Sequence, residues 1–402
     1  MKLLKKNKIL IVGCGYEQLD AIYMAKKKGF YVIGADKNIN APGNKICDEF
    51  FSIDIKKKKL ILSLAKKKKI NGIFTIASDL AVPTVNFVQK KLKINPNKNF
   101  DAKFTTNKFF MKKKFIENNI PTSNFIKLST KKKLQQFLTK NKLPLVLKPI
   151  FSYGQKGIFL INNKNELNKK ILLAKKNCQH KSALIEEYKE GYEINIILIV
   201  ENYKIKNFFI SKRLTQPNKT FGIADQHIYP AQVPLNLKKK IIKDLNNLIL
   251  SLNFKSGILY PQIMIKDNNY FFIEIASRVP GGFMREMMLL ANGLDPIEFE
   301  ILNSLSTRNI FKNLKLSKKY KSVNVLFLTK KNYKHKRIKK IDKQTILKKN
   351  SDLYDIIFNY NVNDTIPILK NSTHRVGAII TKSTSLEKSY KASMKILNTL
   401  NR

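Results

Sequence analysis

The segment that decides the fold reads LPLVLKPIFSYGQKG and spans Leu143 to Gly157. Two further segments follow it, LIEEYKEGYE (Leu184 to Glu193) and YFFIEIASRVPGG (Tyr270 to Gly282). The first joins a strand to a glycine-bearing loop with lysines. The second is a cluster of carboxylates, and the third carries one carboxylate and one arginine on a strand. In this order they supply what a nucleoside triphosphate site needs: cations for phosphate, acceptors for sugar and base, and ligands for magnesium.

The composition is that of a folded chain with more than one domain. Its 402 residues are 43% hydrophobic, and the formal net charge is +49. Only seven of the 77 basic residues are arginine, and lysine is spread from end to end. Because a nucleic-acid-binding surface concentrates its charge and interleaves aromatic residues, we expect no nucleic-acid partner. Where an arginine occurs despite this bias toward lysine, we expect a role that needs a guanidinium and that lysine cannot fill.

The cysteines and the apolar runs bear on location. Cys14, Cys47 and Cys178 are odd in number and far apart, which fits a reducing cytoplasm and no metal-ligand spacing. The apolar run 9–12 is too short for a signal peptide, and no stretch is long enough to span a membrane. We therefore expect a cytoplasmic protein without a membrane partner.

Hydrophobic patterning divides the chain into three parts. Residues 1–104 alternate strands and helices, which predicts an open parallel α/β sheet. Residues 105–305 predict an α+β body that contains a smaller subdomain at about 125–190. It opens with one helix from Thr105 to Asn119, capped by Thr105 or Thr106. Residues 306–402 predict a separate small α+β module.

A glycine pattern follows the first strand. Gly13-x-Gly15 lacks the third glycine of a dinucleotide fingerprint, because Gln18 stands there. A tight strand-to-helix turn explains the pattern better than cofactor binding does, and both interpretations remain open from sequence alone.

The first two segments predict contacts to a nucleotide. Glycines in the loop 152–157 let backbone N–H groups approach an anion, and Lys148 and Lys156 add charge. The carboxylates of the second segment can accept hydrogen bonds from a sugar. The alternative is a solvated loop of lysines beside an acidic loop that balances them. The acidic cluster consists of Glu186, Glu187, Glu190 and Glu193.

The third segment predicts a metal site. Strict alternation puts Glu274 and Arg278 on one face, with Phe272 and Ala276. The opposite face would then carry Phe271, Ile273 and Ile275. A glutamate in so apolar a strand needs a cation, which points to magnesium with Gln262 of the paired strand as a second oxygen ligand. Arg278 could hold a carboxylate or acyl-phosphate bidentately. The alternative is a structural Glu274–Arg278 ion pair.

Taken together, the segments resemble ATP-grasp enzymes of the carboxylate–amine ligase type, in the amino-acid ligase and biotin carboxylase-like branches. The resemblance runs over nearly the whole chain, through ILIVGCGYEQLDAI, TTNKFFMKKKFIENNIPTSNF and the C-terminal THRVGAIITKSTSLEKSYKAS. It implies a pre-ATP-grasp α/β domain at 1–104, an ATP-grasp domain of two α+β subdomains at 105–305 that clamp ATP with a lid at about 125–190, and a closing α+β module at 306–402.

The resemblance also implies roles for individual residues. Lys108 and Lys148 would contact the phosphates of ATP, and Glu193 would hold the ribose. The lid over the phosphates would include Ser152, Tyr153, Gly154, Lys156 and Gly157. The adenine would meet Glu186 and the backbone of Glu187, Tyr188 and Lys189. Magnesium, or manganese in its place, would be bound by Glu274 and Gln262. Arg278 would stabilise the acyl-phosphate, and His227 would line the acceptor site; the alternative is that His227 is a loop histidine without function. Independently of the resemblance, Arg285 lies seven residues after Arg278 and is a second catalytic candidate that could reach a substrate carboxylate.

Two residues depart from the family pattern. Gln262 stands where many members have glutamate, and Ala276 stands where many have asparagine, so a second magnesium ion is not implied. The implied reaction transfers phosphate from ATP to a carboxylate, after which an amine displaces it. The partners are therefore small carboxylate and amine substrates, and a homodimer is compatible with the resemblance. The alternatives are a biotin carboxylase-like or carbamoyl-phosphate-synthase-like subunit that activates bicarbonate, and a non-catalytic nucleotide-binding or nucleic-acid-binding protein.

Overall fold

A computed structural model gives the positions of residues 7–94, 97, 99–152, 154–178, 181–215, 221–314 and 320–402. The described residues form three sheets, one of the N-terminal domain, one of a small lid and one of eight strands that runs through the rest of the chain. The predicted combination of an open parallel α/β domain with α+β units is confirmed. No helix in this described part has the length and apolar character needed to cross a membrane.

The N-terminal sheet is parallel, in the order β3-β2-β1-β4. Its elements are β1 (Lys8–Val12), α1 (Leu19–Lys27), β2 (Tyr31–Asp36), β3 (Glu49–Ser52), α2 (Lys58–Lys68), β4 (Gly72–Phe74) and α3 (Val82–Leu92). Gln18 closes the turn after β1, because its side chain accepts from Gly15 N at 3.0 Å and donates to Ile76 O at 2.8 Å. The missing third glycine is thus replaced by a turn-closing glutamine, which favours the structural interpretation of this motif.

Two short helices replace the single helix predicted from Thr105. They are α4 (Lys103–Thr106) and α5 (Lys108–Glu117). The predicted threonine cap is wrong, because Asn107 takes an extended conformation and its side chain accepts from Phe109 N and Phe110 N at 3.0 and 3.3 Å. Asparagine competes for backbone donors in this way and so breaks and restarts a helix.

The lid is a four-stranded antiparallel sheet in the order β5-β8-β6-β7. Its elements are β5 (Phe125–Lys127), α6 (Lys131–Lys140), β6 (Leu145–Pro149), β7 (Phe159–Ile161), α7 (Leu167–Lys176) and β8 (Ala183–Glu187). Leu145, Leu147 and Ile185 lie in one core with residues of α6 and α7. The opposite faces of β6 and β8 therefore carry Val146, Lys148 and Glu186 away from that core.

The eight-stranded sheet has the order β13-β12-β9-β10-β11-β14-β16-β15. Its strands are β9 (Tyr192–Glu201), β10 (Lys204–Thr215), β11 (Ala224–Tyr229), β12 (Gly257–Lys266), β13 (Asn269–Ala276), β14 (Ser322–Leu328), β15 (Leu353–Phe358) and β16 (Gly377–Ser383). The helices are α8 (Leu235–Ser251), α9 (Met284–Asn292), α10 (Pro296–Ser304), α11 (Lys343–Lys348) and α12 (Leu386–Leu400). β14 pairs with β11 and covers an edge that would otherwise be open, so strands of residues 306–402 continue this sheet. The domain boundaries expected from the sequence stay a prediction.

A β-bulge in β13 changes which of its side chains share a face, so the predicted faces are partly wrong. Gln262 pairs with Glu274, but the next residue, Ile263, pairs with Phe272, so Ile273 is an extra residue in the ladder. As a result Phe272 and Ile275 lie in the core beneath the sheet, while Glu274 lines a cleft together with Phe271. Strict alternation had put Glu274 on the same face as Phe272, which is wrong.

Arg285, at the start of α9, joins three helices through carboxylates. It binds Asp295, the N-cap residue of α10, through Nε and Nη2 at 2.9 and 2.6 Å. Its Nη1 lies 3.1 Å from Asp20 of α1 and 3.5 Å from Glu286. The side chain is 19% exposed. These contacts give Arg285 a structural explanation that needs no substrate.

We expect Arg285→Met to lower the free energy of unfolding by on the order of 3 kcal/mol, because Asp295 and Glu286 lose their counter-charge in a partly buried place. Thermal unfolding followed by circular dichroism measures the effect. The control is Arg308→Met, which changes an exposed arginine. An Arg285→Met protein with the wild-type midpoint but no turnover would instead support the catalytic role predicted from the sequence.

Candidate functional site

A cleft of about 280 Å³ lies between the lid and the end of the large sheet formed by β9, β12 and β13. It is lined by residues of all three segments quoted above, and more than one hundred positions separate the first segment from the third. From the predicted set the lining includes Lys148, Glu186, Glu187, Tyr188, Lys189, Glu193, Gln262 and Glu274. The fold thus brings together most of the residues that the sequence pattern singles out.

Glu186 is the buried centre of the lid side. Its Oε2 lies 2.7 Å from Lys112 Nζ, its Oε1 pairs with Lys148 Nζ, and Ser123 Oγ donates to Oε2 at 3.1 Å. Burial opposes ionisation of this carboxyl, but the two lysines outweigh burial and lower its pKa to about 2. Since that value lies below the ordinary one, ionised Glu186 contributes fully to stability above about pH 4 and loses the contribution as the pH falls through about 2.

Lys108 and Lys112 lie on the same face of α5, four residues apart. They differ in how many hydrogen-bond donors of the ammonium group are left for a ligand. Lys112 Nζ meets Glu186, Thr122 Oγ1 at 2.7 Å and Ser123 Oγ at 3.0 Å, which uses its three donors. Lys108 Nζ makes longer contacts, 3.3 Å to Ser152 Oγ and 3.5 Å to Glu274 Oε2. Lys112 is therefore an anchor, and Lys108 is the cation with capacity to bind an added anion.

The end of β8 forms the next part of the wall. Glu187 lies 2.6 Å from Lys189 Nζ, and Lys189 Nζ lies 4.6 Å from the centre of the Phe271 ring. Tyr188 meets Phe221 edge to face at 5.8 Å. Glu193, on β9, is 2.5 Å from Arg213 Nη1. The wall is thus a set of aromatic faces with carboxylates at its rim, which suits a flat base and a polyhydroxyl sugar.

Glu274 and Gln262 face each other across β12 and β13, which the register of the hairpin fixes. Among the described residues, no group of three or more His, Cys, Asp or Glu side chains could hold a metal alone. One carboxylate and one amide oxygen do fit Mg²⁺, because Mg²⁺ takes its other ligands from phosphates and water. The donor set therefore suits a metal that arrives with a triphosphate.

The loop after β6 crosses from the lid to the C-terminal strands. Gly154 has φ +60°, and its carbonyl accepts from Ser372 N at 3.2 Å. A Cβ at Gly154 would lie 2.9 Å from Ser372 Oγ, so glycine permits this approach. Gly157 likewise lies against Pro149 and Asn177. The loop contains Lys156 too, whereas Tyr153 lies outside the described residues.

Arg278 has a partner that the sequence analysis did not foresee. Its Nε and Nη2 both donate to Asp79 at 2.7 Å, and its side chain is 12% exposed. Asp79 follows β4, so this bidentate pair ties the N-terminal domain to the end of β13. The structural Glu274–Arg278 ion pair considered above does not form, and Asp79 orients the guanidinium instead.

A second polar cluster lies farther along the same face of the large sheet. His227 Nδ1 is 3.4 Å from Asn195 Nδ2, and its ring meets Phe327 edge to face. Arg375 Cζ lies 3.6 Å over the Phe327 ring, and its Nη2 donates to Ala224 O. Burial first, and then Arg213 and Arg375, lower the pKa of His227 well below its ordinary value, so the imidazole is neutral at physiological pH.

Three buried polar atoms of this cluster have no hydrogen-bond partner among the described residues. They are Asn195 Oδ1, Ser211 Oγ and Arg375 Nε. Buried polar groups almost always have a partner, so these three are explained by a bound molecule or by water. At Gly282 an added Cβ would lie 4.0 Å from His227 Nε2, so the backbone before α9 closes the cluster from one side.

Sequence reasoning missed four of these residues. Lys112 could have been found, because it follows Lys108 by one helical turn. Arg213 and Arg375 could have been flagged as rare arginines in a lysine-rich chain. Asp79 gave no signal, because its partner lies 199 positions away. The structure does not bring Arg285 into the lining of the nucleotide cleft.

Comparison with known proteins supports the same interpretation. Residues 106–281 match the phosphoribosylglycinamide synthetase ATP-grasp (A) domain, and residues 9–91 match the PylC-like N-terminal domain. A formate-dependent phosphoribosylglycinamide formyltransferase of Prochlorococcus marinus (strain MIT 9515) is 25% identical over 281 residues, which are 68% of this chain and 70% of the relative.

Solved structures share the fold over almost the whole length. The L-amino acid ligase from Bacillus licheniformis superposes with a TM-score of 0.78 at 16% identity, covering 98% of this chain and 97% of that one. The N5-carboxyaminoimidazole synthetase from Staphylococcus aureus, complexed with ADP, gives 0.75 at 15% identity and covers 98% of both chains. With the cleft described above, the family match identifies residues 106–281 as an ATP-grasp domain, the domain of ATP-dependent, ADP-forming ligases.

Proposed function

We propose that the cleft binds ATP with magnesium and that the protein uses it to join a small carboxylate to an amine, with the second polar cluster as the acceptor site. The observation that carries the proposal is the buried Glu186 array, which holds Lys148 at the cleft beside Lys108 and Glu274. An array of cations facing one carboxylate suits a triphosphate and its metal. We extend no catalytic role to Arg285.

The geometry of the cleft supports the following roles. Lys108 and Lys148 neutralise the phosphates, and Glu193 accepts from the ribose. Phe271, Tyr188 and the backbone of residues 187–189 surround the base. Glu274 and Gln262 would hold magnesium, or manganese, which supplies charge neutralisation at the phosphate that is transferred. The segment from Gly154 to Gly157 covers the phosphates and excludes water, which would otherwise hydrolyse an acyl-phosphate.

The acceptor cluster contains charged groups of both signs around Gly282. A Cβ at Gly282 would lie 3.8 Å from Arg375 Nη1, and Glu17 Oε2 of the N-terminal domain accepts from Gly282 N at 3.2 Å. A substrate carboxylate would bind at Arg375, and an amine would bind beside Glu17. Arg278, oriented by Asp79 and within reach of the charge of Glu274, would stabilise the negative charge that develops as the amine attacks.

The substrates are tested by a screen for ADP and phosphate release. The Prochlorococcus relative's name supplies one pair, formate with phosphoribosylglycinamide, and the Bacillus ligase's name supplies amino acids as both partners. Release that needs a carboxylate and an amine together supports the proposal. Release with bicarbonate alone would support the carboxylase alternative. The homodimer and the cytoplasmic location stay predictions.

Glu274→Gln should lower kcat by at least about a hundredfold, because the carboxylate ligand contributes several kcal/mol of charge stabilisation. A coupled assay for ADP release measures it, with magnesium concentration varied. Glu190→Gln is the control, since Glu190 pairs with Lys266 in solvent. Full turnover in Glu274→Ala would rule out this metal site.

Substitutions of Lys108 and Lys112, the two buried lysines of α5, should differ in their effects on activity and on stability. Lys108→Met should lower kcat/KM for ATP about tenfold or more with little change in the unfolding midpoint. Lys112→Met should lower the free energy of unfolding by on the order of 3 kcal/mol, because it is fully buried and Glu186 loses one partner. Steady-state kinetics and thermal unfolding compare the pair. Equal effects of both substitutions on both measurements would contradict the division into anchor and phosphate ligand.

One substitution should remove the hydrogen bond that joins Gly154 of the lid loop to Ser372, which lies between β15 and β16. Ser372→Pro deletes the N–H that Gly154 O accepts, while proline suits the first position of the short 3₁₀ helix Ser372–His374. Amide hydrogen exchange across Gly154–Gly157 should become several-fold faster. Ser372→Ala keeps the N–H and should exchange like the wild type. If both variants match the wild type, the contact does not hold the lid.

A further inference from the structure

Arg213 joins the nucleotide cleft to the loop that covers it. On β10 it stands opposite Glu193 of β9 and opposite His227 of β11. One branch of its guanidinium, Nη1, lies 2.5 Å from Glu193 Oε2. The other branch, Nη2, donates to the carbonyl of Gly222. The side chain is 6% exposed, so both bonds form away from bulk water.

The first bond fixes the carboxylate that faces the cleft. Glu193 is 9% exposed at its side chain and lines the cleft with Arg213 and Gly222. Arg213 takes Oε2, and Oε1 stays available to accept from a hydroxyl of the ligand. A carboxylate without such a partner would be costly to keep ionised in this place, because burial favours the neutral form.

The second bond fixes a turn that borders the cleft. Gly222 has φ +79°, and a Cβ there would lie 3.6 Å from Gln155 of the lid loop. Its neighbour Phe221 packs edge to face on Tyr188 at 5.8 Å. Through the carbonyl of Gly222 the guanidinium therefore holds Phe221 and the neighbouring lid loop at the border of the cleft.

Arginine is required for this pair of bonds. A planar guanidinium can reach a carboxylate on one side and a carbonyl on the other in a fixed geometry, whereas an ammonium group is a point charge on a flexible stem. The chain uses only seven arginines against seventy lysines, so the choice at position 213 runs against its composition.

We propose that Arg213 is a positioning residue for nucleotide recognition: it orients Glu193 toward the ribose hydroxyls and holds the Phe221–Gly222 turn over the base. This rests on the proposed function, in which the cleft binds ATP with its ribose at Glu193. Arg213 itself donates to protein groups and acts on the nucleotide through them.

The test compares MgADP with magnesium 2′-deoxy-ADP and 3′-deoxy-ADP by isothermal titration calorimetry of the full chain. Wild-type protein should bind MgADP about tenfold more tightly than at least one of the two analogues, the ratio expected for a hydrogen bond to a charged group. In Arg213→Met that ratio should fall to near one, because Glu193 is no longer oriented. Lys206→Met, an exposed position on the same strand, should keep the wild-type ratio.

Two further variants separate positioning from folding. Arg213→Lys keeps a cation near Glu193 without reaching Gly222, so it should retain part of the ratio even if Arg213→Met is too unstable to assay. In the background of Glu193→Gln, Arg213→Met should have no additional effect on the ratio.

The outcomes are distinguishable from failure of the proposed function. A wild-type protein that binds no MgADP overturns the proposed function itself. Wild-type protein that binds MgADP and both analogues equally leaves the function intact and overturns ribose recognition by Glu193. A folded Arg213→Met or Arg213→Lys protein with the full wild-type ratio overturns the positioning role of Arg213.

Discussion

The buried contact of Glu186 with Lys112 and Lys148 is the constraint on which the site depends. Two ammonium groups and a carboxylate in a nearly dry place are costly to desolvate, so they persist only if each charge has its partners. The three partners come from β8, α5 and β6, which means that this one contact fixes the lid sheet against the helix that enters the large body.

That fixation explains why the nucleotide lysines can be rigid. Lysine usually keeps its charged end mobile in water, and its ordering costs side-chain entropy. In the folded protein Glu186 orders Lys148, and Ser152 and Glu274 order Lys108, before any ligand binds. The cleft is therefore preorganised for an anion, which is the condition under which electrostatic stabilisation contributes to catalysis.

The sequence predicted well wherever the chemistry was local. The parallel N-terminal sheet and the position of the glutamate on β13 follow from periodicity. The sequence-based prediction failed where a single residue interrupted the regular spacing of a strand or a helix. Ile273 adds a bulge that moves Glu274 to the cleft face, and Asn107 divides a helix that periodicity reads as continuous. Neither the bulge nor the helix break alters the average hydrophobic pattern, so that pattern predicts neither of them.

Ion pairs between residues far apart in the sequence were also not predicted, and the arginines show why. Glu193, Asp79 and Asp295 are ordinary surface-type residues in the sequence, and only the fold places them against Arg213, Arg278 and Arg285. What the sequence does hold is the scarcity of arginine. Arg308, Arg337 and Arg402 are exposed, whereas the other four bind through more than one branch or lie against an aromatic ring. In a chain whose composition favours lysine, retaining the planar donor at these four positions is itself evidence that two-point contacts are needed there.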